Sequence, residues 1–314
     1  MIIIISGCGV KFKVSVTRPA EVNLNKFKTV AIGEIPGIQG NDVAEELTQA
    51  LFQSQRYDVV DRQHLKRILE EHQLNATDYV NQSTTAKLGE ILGTSALIFG
   101  RVSDAHFNQP VTQSSWTDPN TGARHTWYSR KGTAIMDVNL QVTDLTTGKI
   151  LATKKIGHSV TSKTITTMDV YPAEIDPSSF IQECRRNIVA QFMKMIAPWQ
   201  EQVTVRLEKF GKIPEATQGI SFCKIQEWGK AVESFESALE KAKTNPKINS
   251  SSSSMAKLYY NLGVALCYVN KFKESRANLQ QAYTLNSKSL YQEALNETNR
   301  REAEYKKLLE QNAT

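Results

Sequence analysis

The chain has 314 residues, 40% of them hydrophobic and 22% charged, and 38 Lys and Arg against 32 Asp and Glu leave a formal net charge of +6. That length supports two domains with cores of their own, and the composition excludes wholesale disorder and a polytopic membrane protein. Basic and acidic residues are mixed along the chain, with no basic run interleaved with aromatics, so no nucleic-acid partner is expected.

The opening stretch Met1-Ile2-Ile3-Ile4-Ile5-Ser6-Gly7-Cys8-Gly9 is an apolar run ending in two small residues and a cysteine, the shape of a lipobox. A secretory signal carries a basic region and then ~7–15 apolar residues, so the run reads as the tail of a signal peptide whose start lies upstream, with Cys8 as the lipidation site. A first β-strand is the competing reading, because Ile-rich runs suit a pleated sheet. The run is far shorter than the ~20 apolar residues of a spanning helix. An acylated Cys8, each buried CH₂ contributing ~0.8 kcal/mol, would instead tether the body of the protein to a membrane. Residues 11–26 show no strong period and hold Arg18-Pro19, so they read as an extended tether or an edge strand, and residues 1–27 are assigned to a signal remnant and tether.

Lys28 to Ile35 is a compact strand signal stopped by Pro36-Gly37. A helix follows in which Val43, Ala44, Leu47, Leu51 and Phe52 recur at helical spacing, with Asn41 or Asp42 expected as its N-cap. Tyr57-Asp58-Val59-Val60 reads as a second strand, and Asp61 as the cap of a helix with the apolar stripe Leu65, Ile68, Leu69 and His72, where His72 is expected to be packed. Ser83 to Leu92 predicts a third helix closed by Gly93. Ser95 to Val102 is a near-continuous apolar run, as in a strand covered on both faces. Met136, Val138, Leu140 and Val142 alternate with polar residues, a half-buried strand, and the turn Asp144 to Gly148 returns the chain through Ile150 and Ala152. A last helix carries Ile181, Cys184, Ile188, Phe192 and Met195 and stops before Pro198. Residues 28–200 therefore predict an α/β domain with a mixed sheet.

Between these elements, residues 108–131 form a polar hairpin in which Trp116 and Trp127 flank the turn Asp118-Pro119-Asn120-Thr121-Gly122. Contact with a membrane interface or a partner, and plain cross-strand packing, are both open for Trp116, Trp127 and Tyr128.

The segments Val30-Ala31-Ile32, Tyr57 to Arg62 leading to Leu65 and Ile68-Leu69-Glu70-Glu71, Leu92 to Gly100, and the hairpin from Asp144 through Gly148-Lys149-Ile150 resemble the CsgG-like lipoproteins of curli secretion, over about half the chain. The resemblance implies a periplasmic α/β domain held at the outer membrane by an N-terminal lipid, and Gly9 in place of an inner-membrane-retaining aspartate fits that address. It also offers a subunit of an oligomeric curli-type pore as an alternative. A spanning strand needs ~9–11 residues with one apolar side, however, and residues 108–131 are polar.

Beyond a linker at 201–215, Gly219, Phe222, Ala231, Phe235 and Ala238 fall at tetratricopeptide (TPR) offsets. Tyr259, Leu262, Gly263, Leu266, Ser275, Leu279 and Ala282 repeat them. Asn245 to Ser254 is taken as a flexible insertion between the repeats, and Tyr291 to Gln311 as a closing helix using Leu295, Tyr305, Leu308 and Leu309. Residues 216–314 thus predict an all-α, TPR-like domain whose concave face, through Ile220, Cys223, Lys224, Tyr260, Val264, Cys267 and Tyr268, would bind other envelope proteins, with plain inter-helix packing equally open for each residue taken alone.

No GxSxG, HExxH or phosphate-cradling glycine loop occurs, the cysteines form no CxxC pair, and His106, His125 and His158 lack metal-site spacing. Neither an enzyme nor a cofactor or metal site is expected. Cys184, Cys223 and Cys267 sit in apolar helical patterns and predict core positions. The expectation is a lipid-anchored periplasmic scaffold or assembly factor, possible as a homo-oligomer, with a curli-type pore subunit and a soluble intracellular TPR adaptor as alternatives.

Overall fold

The computed structural model describes residues 9–72, 82–93 and 95–312, the side chains of 82–86 apart. It divides into two units, one of Ala20–Ala197 and one that joins the N-terminal stretch up to Pro19 to the chain from Pro198 onward.

In the α/β unit the strands β2 (Thr29–Ile32), β3 (Asp58–Val60), β4 (Ser95–Asn108), β7 (Thr133–Asp144) and β8 (Ile150–Thr161) form a sheet in the order β3-β2-β4-β7-β8. The first three are parallel and the last two antiparallel, so the sheet is mixed as expected. Val30 and Ile32 of β2, with Ala96 and Ile98 of β4, face α1 (Gly40–Ser54) and α4 (Ser178–Ile196). Ala31 and Leu97 face the other way, onto Leu65 and Leu69 of α2 (Arg62–Glu71) and Leu88 of α3 (Gln82–Leu92). Both faces are covered there, which is why these two strands are apolar throughout. β7 is covered on one face and keeps the alternation, with Met136, Val138, Leu140 and Val142 buried.

Two local expectations need correction in this unit. The N-cap of α1 is Gln39 in the left-handed region, without a side-chain cap. Asn41 instead accepts from Arg62 and Asp42 from Arg185, since side-chain partners from α2 and α4 outcompete capping. His72 closes α2 as an exposed C-cap residue and is not packed. Asp61 does cap α2, its carboxylate accepting from the His64 N–H at 2.8 Å.

A second sheet, in the order β5-β6-β9, is made by β5 (Val111–Thr117), β6 (Arg124–Arg130) and β9 (Ile165–Met168). β4 reaches toward it past a register shift between Val102 and Asp104, an irregularity of the kind that bends a strand.

The other unit holds α5 (Pro214–Lys224), α6 (Trp228–Thr244), the short α7 (Pro246–Asn249), α8 (Ser252–Tyr268), α9 (Phe272–Leu285) and α10 (Ser289–Asn312). α5 packs on α6, α8 on α9, α6 on α8 and α10 on α9. Gly219 and Gly263 are the contact points of the two helix pairs: a Cβ added to either would lie 2.6 Å from Phe235 or 2.7 Å from Leu279. The segment expected to be a flexible insertion is folded. Asn245 and Ser251 cap α7 and α8 and Ile248 is buried, so each end of the segment is anchored.

The structure decides between tether and edge strand near the N-terminus and corrects the linker. β1 (Gly9–Arg18) and β10 (Trp199–Glu208) pair antiparallel along their whole length, Gly9 opposite Glu208 and Arg18 opposite Trp199. Val14, Val16, Val205 and Leu207 of this ribbon are buried in the same core as the helices. Residues 9–18 therefore take the edge-strand form of the two readings, and 201–208 are strand and not linker, because alternate apolar residues on both strands find a hydrophobic surface to cover.

Candidate functional site

The surface on which the ribbon lies is the one formed by α5 and α8, the first helices of the two hairpins. Phe12 stacks on Trp228 with ring centroids 6.2 Å apart, and Trp228 stacks on Tyr268 at 4.1 Å. Tyr260, 2% exposed, donates its hydroxyl to the Arg206 carbonyl at 2.7 Å. Asn261 grips the next outward residue of β10 with both ends of its amide: Oδ1 accepts from the Glu208 N–H at 2.9 Å and Nδ2 donates to the Glu208 carbonyl at 2.8 Å.

Charged groups close the ribbon at its two ends. The Glu208 carboxylate accepts from Lys288 and, at 3.2 Å, from the Tyr291 hydroxyl. At the far end Arg18, with a side chain only 6% exposed, reaches Glu201 at 2.7 Å and Glu304 of α10 at 2.5 Å. Burial by itself lowers the Arg18 pKa, and the hydrogen bonds to the two glutamates outweigh it, so the net shift is upward. The Tyr268 hydroxyl is pushed up to about 12 by burial, and those of Tyr260 and Tyr291 move the same way for the same reason. These tyrosines stay neutral and act as donors or stacking surfaces.

Between β10, α8 and α10 an open cleft of about 320 Å³ remains. Val203, Val205, Tyr260, Val264, Tyr268 and Ala294 wall it, and Arg206, Glu293, Glu297 and Arg300 stand at its rim. Of the residues expected to bind a partner, Tyr260, Val264 and Tyr268 thus come together, but on a face already occupied by the chain's own ribbon. Tyr260 and Val264 are buried, not open. Ile220 is buried on α5 and Lys224 is exposed at its end, and neither lines the cleft. Sequence reasoning missed Asn261, Arg206 and Arg18. The alternation Val10, Phe12, Val14, Val16 was the available signal, and it marks a half-buried strand.

Trp116 and Trp127 lie on the β5-β6-β9 sheet. Register sets Trp116 opposite His125, and Trp127 between Ser114 and Met168, so both indoles share one face. They are 53% and 42% exposed, and Met168 beside them is 46% exposed. Trp116 also stacks on His125, which binds Asp169 at 2.8 Å. His106 pairs with Asp104, and no group of three or more metal-ligating residues occurs among the described residues. Cys184, Cys223 and Cys267 are buried thiols, and burial pushes Cys223 up to about 12. Cys8 lies outside the described residues. No helix among the described residues is long and apolar enough to cross a membrane.

The family described as "Curli production assembly/transport component CsgG" matches residues 11–197, more than half of the chain. The chain belongs to the CsgG family. The match runs from β1 through α4 and leaves α5 to α10 outside it. Among solved structures, the PelC dodecamer from Paraburkholderia phytofirmans is similar at 12% identity, covering 60% of this chain and 99% of that one, with a TM-score of 0.30. Lipoprotein GNA1162 from Neisseria meningitidis is similar at 14% identity, covering 52% and 96%, with a TM-score of 0.32. The LpoB C-terminal domain from Salmonella enterica is similar at 14% identity, covering 45% and 84%, with a TM-score of 0.28. Comparison with curated proteins by sequence finds no match.

Proposed function

We propose that this protein is a non-enzymatic, lipid-anchored factor of the bacterial outer membrane that serves assembly or secretion from the periplasmic side. The observation that carries the reading is the family match over 11–197, whose described role is assembly and transport. The lipobox-like Ser6-Gly7-Cys8 supports a lipid anchor at Cys8. We read the helical unit as two TPR-like repeats with a closing helix, on the strength of the close approaches at Gly219 and Gly263. Its task is to hold another protein. The shared face of Trp116 and Trp127 supplies a second contact, suited to a membrane interface, where amphipathic rings are favoured.

A pore subunit has less support. In the polar second sheet β5 and β6 have 7 residues each and β9 has 4, against the ~9–11 that a spanning strand needs, and the longer β4, β7 and β8 supply buried residues to the α/β core.

The reading is tested by expressing the protein from its genomic locus in a bacterial host and analysing its N-terminus by mass spectrometry, with a Cys8→Ala variant alongside. An acylated Cys8 and release of the variant from the membrane fraction are expected. A wild-type protein that is unacylated and found with the cytosolic fraction would overturn the lipid-anchored assignment.

A further inference from the structure

The ribbon that fills the helical face leaves one stretch of main chain without a partner. In an antiparallel pair, successive residues of a strand point their N–H and C=O groups alternately toward the partner strand and away from it. The Arg206 carbonyl and both main-chain groups of Glu208 point away from β1, because Tyr260 and Asn261 bind them. Gln202 and Thr204 are in phase with these two residues and so turn their main chain the same way. Both residues are exposed, and among the described residues no other element hydrogen-bonds their main chain. Thr204 borders the cleft between β10 and α10.

We infer that the β10 edge at Gln202 and Thr204 is a docking site for an extended segment of a partner polypeptide, which adds to the ribbon as a third strand beneath α10. This rests on the reading of the helical unit as the partner-binding part. Unpaired edge N–H and C=O groups are a ready template for another strand.

Side-chain chemistry sets what the occupant carries. Arg206 faces Glu293 at 3.9 Å and Arg300 binds Glu297 at 2.6 Å, so the rim charges already have counter-charges. The wall behind them is apolar or aromatic, through Val203, Val205, Val264 and Tyr268. The segment that fits is uncharged at its centre and apolar at every second residue, the period of a strand lying on a hydrophobic face.

The test is selection of a phage-displayed library of random dodecapeptides against the full chain, followed by affinity measurements on the enriched peptides. Enriched sequences are expected to alternate apolar and polar residues. N-methylation of the selected peptide should weaken binding roughly tenfold or more at residues of one parity and little at the other, since each main-chain bond lost contributes about a factor of ten. Thr204→Pro, which removes the edge N–H but no bond to β1, should weaken it similarly, while Thr204→Val should not. The peptide-side measurement stands even if Thr204→Pro fails to fold. Apolar residues at helical spacing, indifference to N-methylation at both parities, or no enrichment at all would overturn the strand-edge site. None of those outcomes touches the Cys8 anchor, which is tested separately. Binding of a second copy of this chain through the same edge would appear as peptide-competable dimerisation and would overturn the choice of a different protein as occupant.

Discussion

Asp144 and Asn261 hold main chain in place by opposite means, one with a charge and one with a neutral amide. The Asp144 side chain, 3% exposed, takes the Lys26 ammonium at 2.6 Å and the Thr146 and Thr147 N–H groups at 2.9 and 3.3 Å, which closes the β7–β8 turn. Burial raises its pKa, but the hydrogen bonds from Lys26, Thr147 and Thr146 outweigh burial, and the net shift is downward. A carboxyl depressed in the folded state contributes stability that is present above its ordinary value of ~3.9 and is lost as pH falls through the folded value. Asp144→Asn is therefore expected to cost about 1–2 kcal/mol at neutral pH, discounted because Lys26 is half in solvent. That cost should shrink below about pH 4, as read by urea denaturation of both proteins across a pH series. Asn261 carries no charge, so its grip on Glu208 is independent of pH in that range.

Among the elements, those formed by local pattern were legible and those defined by what they cover were not. The strand pair β2 and β4, the Asp61 cap, the Gly93 stop with its φ of +68° and the half-buried β7 follow from spacing and turn chemistry that neighbouring residues contain. The helix pairs were legible too, through small residues at fixed offsets. A Cβ added at Gly263 would lie 2.7 Å from Leu279 and 3.1 Å from the Ser275 carbonyl, so a side chain there must displace Leu279 or part α8 from α9. Gly263→Val is expected to lower stability by about 1–3 kcal/mol, seen as a lower urea midpoint, with Gly229→Ala as a control because a Cβ there meets nothing within 4 Å. Capping of α1 was misjudged because Arg62 and Arg185, both distant in sequence, claim Asn41 and Asp42.

At the scale of the whole molecule, the helical unit is discontinuous: its ribbon takes one strand from residues 9–18 and the other from 199–208, on either side of the α/β unit. Deleting residues through Arg18 removes Val14 and Val16 from a core outside the α/β unit, and burial of each contributes roughly 1.5–3 kcal/mol. Hydrogen exchange is expected to speed up in β10 and α8 and to stay unchanged across 29–197. Uniform acceleration would contradict the discontinuous assignment. By itself the sequence determined the mixed sheet, the paired helices and the membership suggested by segments from Val30 to Ile150, because each depends on periodicity and turn residues within a short window. Only the tertiary structure decided between tether and edge strand for residues 9–18, laid that strand on the face expected to bind partners, and left the open groups at Gln202 and Thr204. Those facts depend on which distant residue satisfies a given N–H or covers a given valine, a competition that a linear pattern does not record.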